Sequence, residues 1–91
     1  MELHDRIVRE LLEQKSFAAL IWLIEHGREL EFSVDGVPCF ISRSGSDQHV
    51  SLRVDGNQQA FDSMEQLIET ASIGQNSFMT LWNNIQITTL F

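Results

Sequence analysis

The dipeptide Asp35-Gly36, set between the alternating stretches LEFSV and VPCFI, constrains this chain more than any other feature. A two-residue type I′ hairpin needs positive φ at both central residues, which Gly adopts without strain and Asp tolerates. Closing that turn pairs Val34 with Val37, Phe32 with Cys39 and Leu30 with Ile41, and the period of two puts all six on one face. Downstream, Ser44-Gly45-Ser46-Asp47 reads as a four-residue loop, which sets Ile41 opposite Val50, Cys39 opposite Leu52 and Val37 opposite Val54. Both turns agree on one buried face of a three-stranded antiparallel meander within residues 28–55. The other face collects Glu31, Ser33, Phe40, Ser42, His49, Ser51 and Arg53. Pro38 lacks an N–H, so the ladder to the third strand should stop or bulge near Arg53.

Helical periodicity precedes and follows the meander. Leu3, Ile7, Val8, Leu11 and Leu12 share a side of residues 2–14, as in an amphipathic helix, with Lys15-Ser16 as a point of interruption. Phe17, Leu20, Ile21 and Ile24 continue the pattern in a segment apolar nearly all round, ended by Gly27. Residues 1–26 thus form one helix or a broken one. After the meander, residues 55–59 read as a polar connection, and a helix opens with a capping box in which Asp62 pairs with Glu65 or Ser63 with Gln66. Met64, Leu67, Ile68 and Ala71 form its buried stripe. Ile73-Gly74 stops it, Asn76 or Ser77 caps a short helix with Phe78, Leu81 and Trp82 facing inward, and the β-prone tail from Ile85 to Phe91 lies as a short strand against the sheet. The expected fold is α+β: an N-terminal helix or broken helix, a three-stranded meander, two C-terminal helices and a short final strand.

Ninety-one residues suit a single domain over 1–91, with a helical part at 1–26, the meander at 28–55 and a helical part with terminal strand at 61–91. The longest apolar run, Phe17 to Ile24, is far short of the ~20 residues a membrane-spanning helix needs. The start MELHDRIVRE has no secretory pattern, and the one cysteine cannot form an intramolecular disulfide, so a cytoplasmic location is expected. Net charge is −7, and after Arg53 there is no Lys or Arg, while Asp55, Asp62, Glu65 and Glu69 remain. Non-specific phosphate binding depends on cationic side chains, so direct nucleic-acid binding is disfavoured.

The residues that could carry chemistry do not converge. Cys39 points to the core and His49 to the opposite face, so they cannot share a zinc ion. Ser42, Ser44, Ser46 and Ser51 cluster with His49 and Asp47, the letters of a nucleophilic triad, but on an exposed sheet surface with no oxyanion hole in view. Asp55-Gly56-Asn57 lacks the spaced acids and terminal Glu of a calcium loop. Neither catalytic residues nor a metal or cofactor site is expected.

Taken together, GRELEFSVDG with PCFIS, then FDSMEQLIETASIG and the FMTLWNNIQI ending, resemble a recurrent group of short uncharacterised α+β proteins of Firmicutes bacteria and their phages. The resemblance covers residues 27–91 and carries no catalytic or ligand residue. It implies a small α+β domain in a bacterial or phage setting that acts by binding. An interaction surface is the remaining reading, with Trp22, Phe40, Asp62, Glu65 and Glu69 as candidate partner-binding residues. The expectation is a non-enzymatic module that meets a protein partner with a basic surface and self-associates through the Trp22 helix. The rival is a small-molecule or nucleotide binder with a pocket between helices and meander.

Overall fold

The computed structural model describes residues 2–43 and 49–91. Two helices come first, α1 (Leu3–Gln14) and α2 (Phe17–Glu25). Between them Lys15 takes a left-handed conformation, φ 51° and ψ 44°, and its N–H donates to the Leu11 carbonyl. Ser16 then starts α2 by accepting from the Ala19 N–H at 3.2 Å. A C-cap followed directly by an N-cap breaks the helix there, so the N-terminal segment is two helices rather than one.

Strands β1 (Leu30–Val34), β2 (Val37–Arg43), β3 (Val50–Val54) and β4 (Asn57–Phe61) follow. Next are α3 (Met64–Thr70), the two-residue strands β5 (Ser72–Ile73) and β6 (Asn76–Ser77), α4 (Phe78–Leu81), a 3₁₀ turn over Trp82–Asn84, and β7 (Gln86–Leu90). The main sheet is antiparallel with the order β4-β3-β2-β1-β7. β5 and β6 form a separate small hairpin.

The first hairpin has the register the turn arithmetic demands, Leu30–Ile41, Phe32–Cys39 and Val34–Val37. Elsewhere the sheet departs from expectation. It has five strands rather than three, because β7 joins β1 and the residues read as a polar connection form β4. The turn into β4 repeats the first one: Asp55 and Gly56 sit at φ 47° and 88°, as Asp35 and Gly36 sit at 50° and 82°. The β2–β3 register differs by two residues, with Ile41 opposite Leu52 and Cys39 opposite Val54. The loop of residues 44–47 that set the expected register lies outside the described residues. A shift of two keeps every side chain on its face, so the expected set still faces the core, with Val37 and Val54 at the strand ends only partly buried. The β2–β3 ladder does end beside Pro38, which supplies only its carbonyl, to the Asp55 N–H at 3.0 Å.

The buried residues of the main sheet lie on one face and join one core with the helices. Leu30, Phe32, Cys39, Ile41 and Leu52 pack with Leu20, Leu23, Ile24, Leu67, Phe78 and Trp82. Phe32 packs near-perpendicular to Phe78 and Trp82, at centroid distances of 6.3 and 6.4 Å. The apolar α2 packs against α1, α3 and β2, with Ile7, Val8 and Leu11 of α1 joining the same core. On the opposite face of the sheet Glu31, Ser33, Phe40, Ser42 and Ser51 are only partly buried and Arg53 is exposed. No helix among the described residues is long and apolar enough to cross a membrane.

Candidate functional site

The candidate residues fall in three places. The first is α3. Ser63 caps it by accepting from the Gln66 N–H at 3.1 Å, and the Gln66 side chain accepts in return from the Asp62 N–H at 2.6 Å. Of the two boxes expected, Ser63 with Gln66 is the one formed. The Asp62 carboxylate is therefore left to face outward, 3.7 Å from the exposed imidazole of His49. Glu65 and Glu69 are also exposed, and their spacing of four sets them one turn apart on the same side of the helix. The buried stripe of Met64, Leu67 and Ile68 holds that side toward solvent.

The second place is the outer side of α2. Trp22 is half-buried between two histidines: His26 stacks on it at a centroid distance of 3.7 Å and an angle of 15°, and His4 lies tilted at 5.8 Å. His26 Nδ1 lies 2.7 Å from the Trp22 carbonyl oxygen. Arg28 hydrogen-bonds to His4 Nε2 and to the Phe91 carbonyl. Trp22 thus has aromatic neighbours from its own chain in both His26 and His4.

The third place is the open sheet face. Phe40 lies on the central strand, edge-on to Phe91 at 6.0 Å. A cross-strand row runs Thr89–Glu31–Phe40–Arg53–Gln58, one residue per strand. Beside it is a cleft of about 400 Å³ lined by Glu31, Pro38, Cys39, Phe40, Arg53, Asp55 and Gly56. Glu31 and Arg53 flank Phe40, and neither forms an ion pair among the described residues. Sequence reading missed Phe91 and the grouping of this row. The Glu31–Phe40 pair followed from the first turn, but Arg53 required the true β2–β3 register and Phe91 required the pairing of β7.

The chemical candidates separate. Cys39 is buried on the core face, its thiol 3.6 Å from the Val37 carbonyl, and burial raises its pKa. Ser42 pairs with Ser51, their hydroxyls 3.1 Å apart, rather than with His49. Ser44, Ser46 and Asp47 lie outside the described residues. Asp55-Gly56 is the β3–β4 turn. No group of three or more His, Cys, Asp or Glu side chains among the described residues is placed to hold a metal ion. No family model, curated protein or solved structure matches the chain.

Proposed function

We propose that this chain is a non-enzymatic binding module, of bacterial or phage setting, that presents the carboxylates of Asp62, Glu65 and Glu69 to the basic surface of a protein partner. The observation that carries the reading is that all three are exposed on and beside one short helix, with His49 the one ion-pairing neighbour among the described residues. A patch dominated by one sign attracts a complementary patch over about a Debye length and speeds encounter, while apolar contacts made afterwards supply most of the affinity. An inhibitor that occupies a partner's cationic surface is the specific form this takes.

The test is a partner recovered from bacterial lysate, followed by association kinetics with the triple variant Asp62→Asn, Glu65→Gln, Glu69→Gln. Ser63 supplies the cap, so the variant leaves α3 intact. Association in low salt should slow by about tenfold, and the difference should shrink at high salt. An unchanged association rate sinks the reading.

One observation favours the small-ligand reading as a second. A cleft of about 300 Å³ lies between the strand ends Val34, Val37 and Val54 and the segment carrying Ile73 and Leu81. That is at the lower end of ligand-site volumes. Native mass spectrometry of the purified protein, searched for a retained small molecule, separates the two readings.

A further inference from the structure

We infer that the open face of the sheet is a homodimer interface in which a second copy packs sheet to sheet over Phe40. The two-fold axis runs along β2 and sets Glu31 of each copy against Arg53 of the other. This goes beyond the proposed function and uses none of the α3 carboxylates.

Register and charge together select this arrangement. β2 is the third of five strands, so the row Thr89–Glu31–Phe40–Arg53–Gln58 has Phe40 at its centre and opposite charges one strand away on either side. A two-fold interface is self-complementary: what one residue meets, its counterpart meets in return. For two sheets packed face to face, the axis lies between them and runs either along the strands or across them. An axis across the strands lays Glu31 on Glu31 and Arg53 on Arg53. An axis along β2 exchanges left for right, so Glu31 lies over Arg53 twice and Phe40 stacks on Phe40. Charge alone therefore favours the second.

The rest of the face is compatible with that choice. Phe91, exchanging both backbone hydrogen bonds with Glu29, sits level with the row Ser42–Ser51–Ala60 on the outermost strand. The same operation carries it over β4 of the second copy, at the small exposed Ala60. Glu29 and Asp55, on the same side, fall over Ser51 and Ser33 rather than over each other, and the His49–Asp62 pair lies beyond the row of Ser51 and Ala60 at the end of β3. Aligned sheets pack about 10 Å apart with strands within about 30°, which moves the charge pairs by only about 2–3 Å, within reach of Glu and Arg side chains.

The association is weak. Five strands of about five residues give a face of roughly 24 by 17 Å, about 400 Å² per copy against the ~800 Å² of a standard interface. The net charge of −7 does not forbid it. Glu65 and Glu69 stand on α3, which packs with α2 on the core side of the sheet and so away from the open face.

The experiment is sedimentation equilibrium from about 10 μM to 1 mM on the wild type, Glu31→Arg, Arg53→Glu, the double variant and an equal mixture of the two single variants. Circular dichroism of each checks the fold. Wild type should dimerise, and each single reversal should weaken dimerisation by about tenfold or more, because like charges then face each other twice. The double variant restores the pairs. So does the mixture, since a chain carrying Glu31→Arg has cations at both positions, a chain carrying Arg53→Glu has anions at both, and each meets its opposite in the heterodimer. If a reversed charge unfolds the monomer, Glu31→Gln and Arg53→Gln replace it, each expected to weaken dimerisation about threefold. A wild type that is monomeric to 1 mM overturns the inference. So do single variants that dimerise like wild type, or variants rescued by neither the mixture nor the double change.

Discussion

Cys39 shows how much one position depends on which face of a strand it occupies. Its thiol is packed into the core row between Phe32 and Val54, and loss of hydration pushes its pKa above the ordinary 9.0. The protonated form is the one the fold favours, so the native state holds the proton more tightly than the unfolded chain. Stability from this group is therefore complete below pH 9.0, the unfolded value, and declines as pH rises from there through the higher folded value. Cys39→Ala should cost about 1 kcal/mol at neutral pH. It should also remove the alkaline decline, so that urea midpoints of the two proteins converge above pH 9. Native Cys39 should react with a thiol reagent no faster than the protein opens; rapid stoichiometric labelling of folded protein would contradict its placement.

Among the elements, the two Asp-Gly turns are the same device used twice. Gly36 and Gly56 both hold φ above 80°, and a Cβ at either would meet nothing within 4 Å, so the cost of a side chain is backbone strain alone. Gly36→Ala and Gly56→Ala should each destabilise by about 1 kcal/mol, and the matching Asn variants by less, since Asn tolerates the left-handed region. Thermal melts of the four variants measure this, and a Gly56→Ala change without effect would mean that β4 does not need its turn. Asp55-Gly56 carries the same signal as Asp35-Gly36, but the polar run Asn57-Gln58-Gln59 hides the strand after it. Those side chains can be polar because β4 is an edge strand, and Gln59 uses its amide to reach the Ser72 carbonyl at 3.1 Å.

Across the fold as one body, Lys15 ties the first helices to the end of the chain. Its carbonyl accepts from the Trp82 indole, and its ammonium donates to the carbonyls of Asn83 at 3.1 Å and Ile85 at 2.9 Å. These bonds hold the break between α1 and α2 against the turn that feeds β7. A left-handed Lys costs about 1 kcal/mol or more, and the three bonds offset it. Lys15→Met keeps the stem and the backbone bond to Trp82 but removes the ammonium. It should cost about 1–2 kcal/mol, lowering Tm by roughly 4–16 °C for a domain of this size. Differential scanning calorimetry settles it, and an unchanged Tm would show the ammonium bonds to be worth no more than those water offers.

What is local was legible in the order of the residues. The first hairpin and its register follow from one turn, the Ser63–Gln66 and Ser77 caps from side chains that reach their own backbone, and the buried stripes from periodicity. The α+β class and the inward face of Cys39 were legible for the same reason. What joins residues far apart was decided by packing. The edge of β3 offered hydrogen bonds to β4, whose polar run hid it, β7 was legible as a strand but its place beside β1 was not, and the β2–β3 pairing lies two residues from the one expected. α1 covers the flank of α2 because an amphipathic stripe and an apolar helix bury more area together than either does alone. The open face with Phe40, Phe91, Glu31 and Arg53 belongs to this second kind: β1, β2, β3 and β7 each contribute to it, and only their common register brings them together.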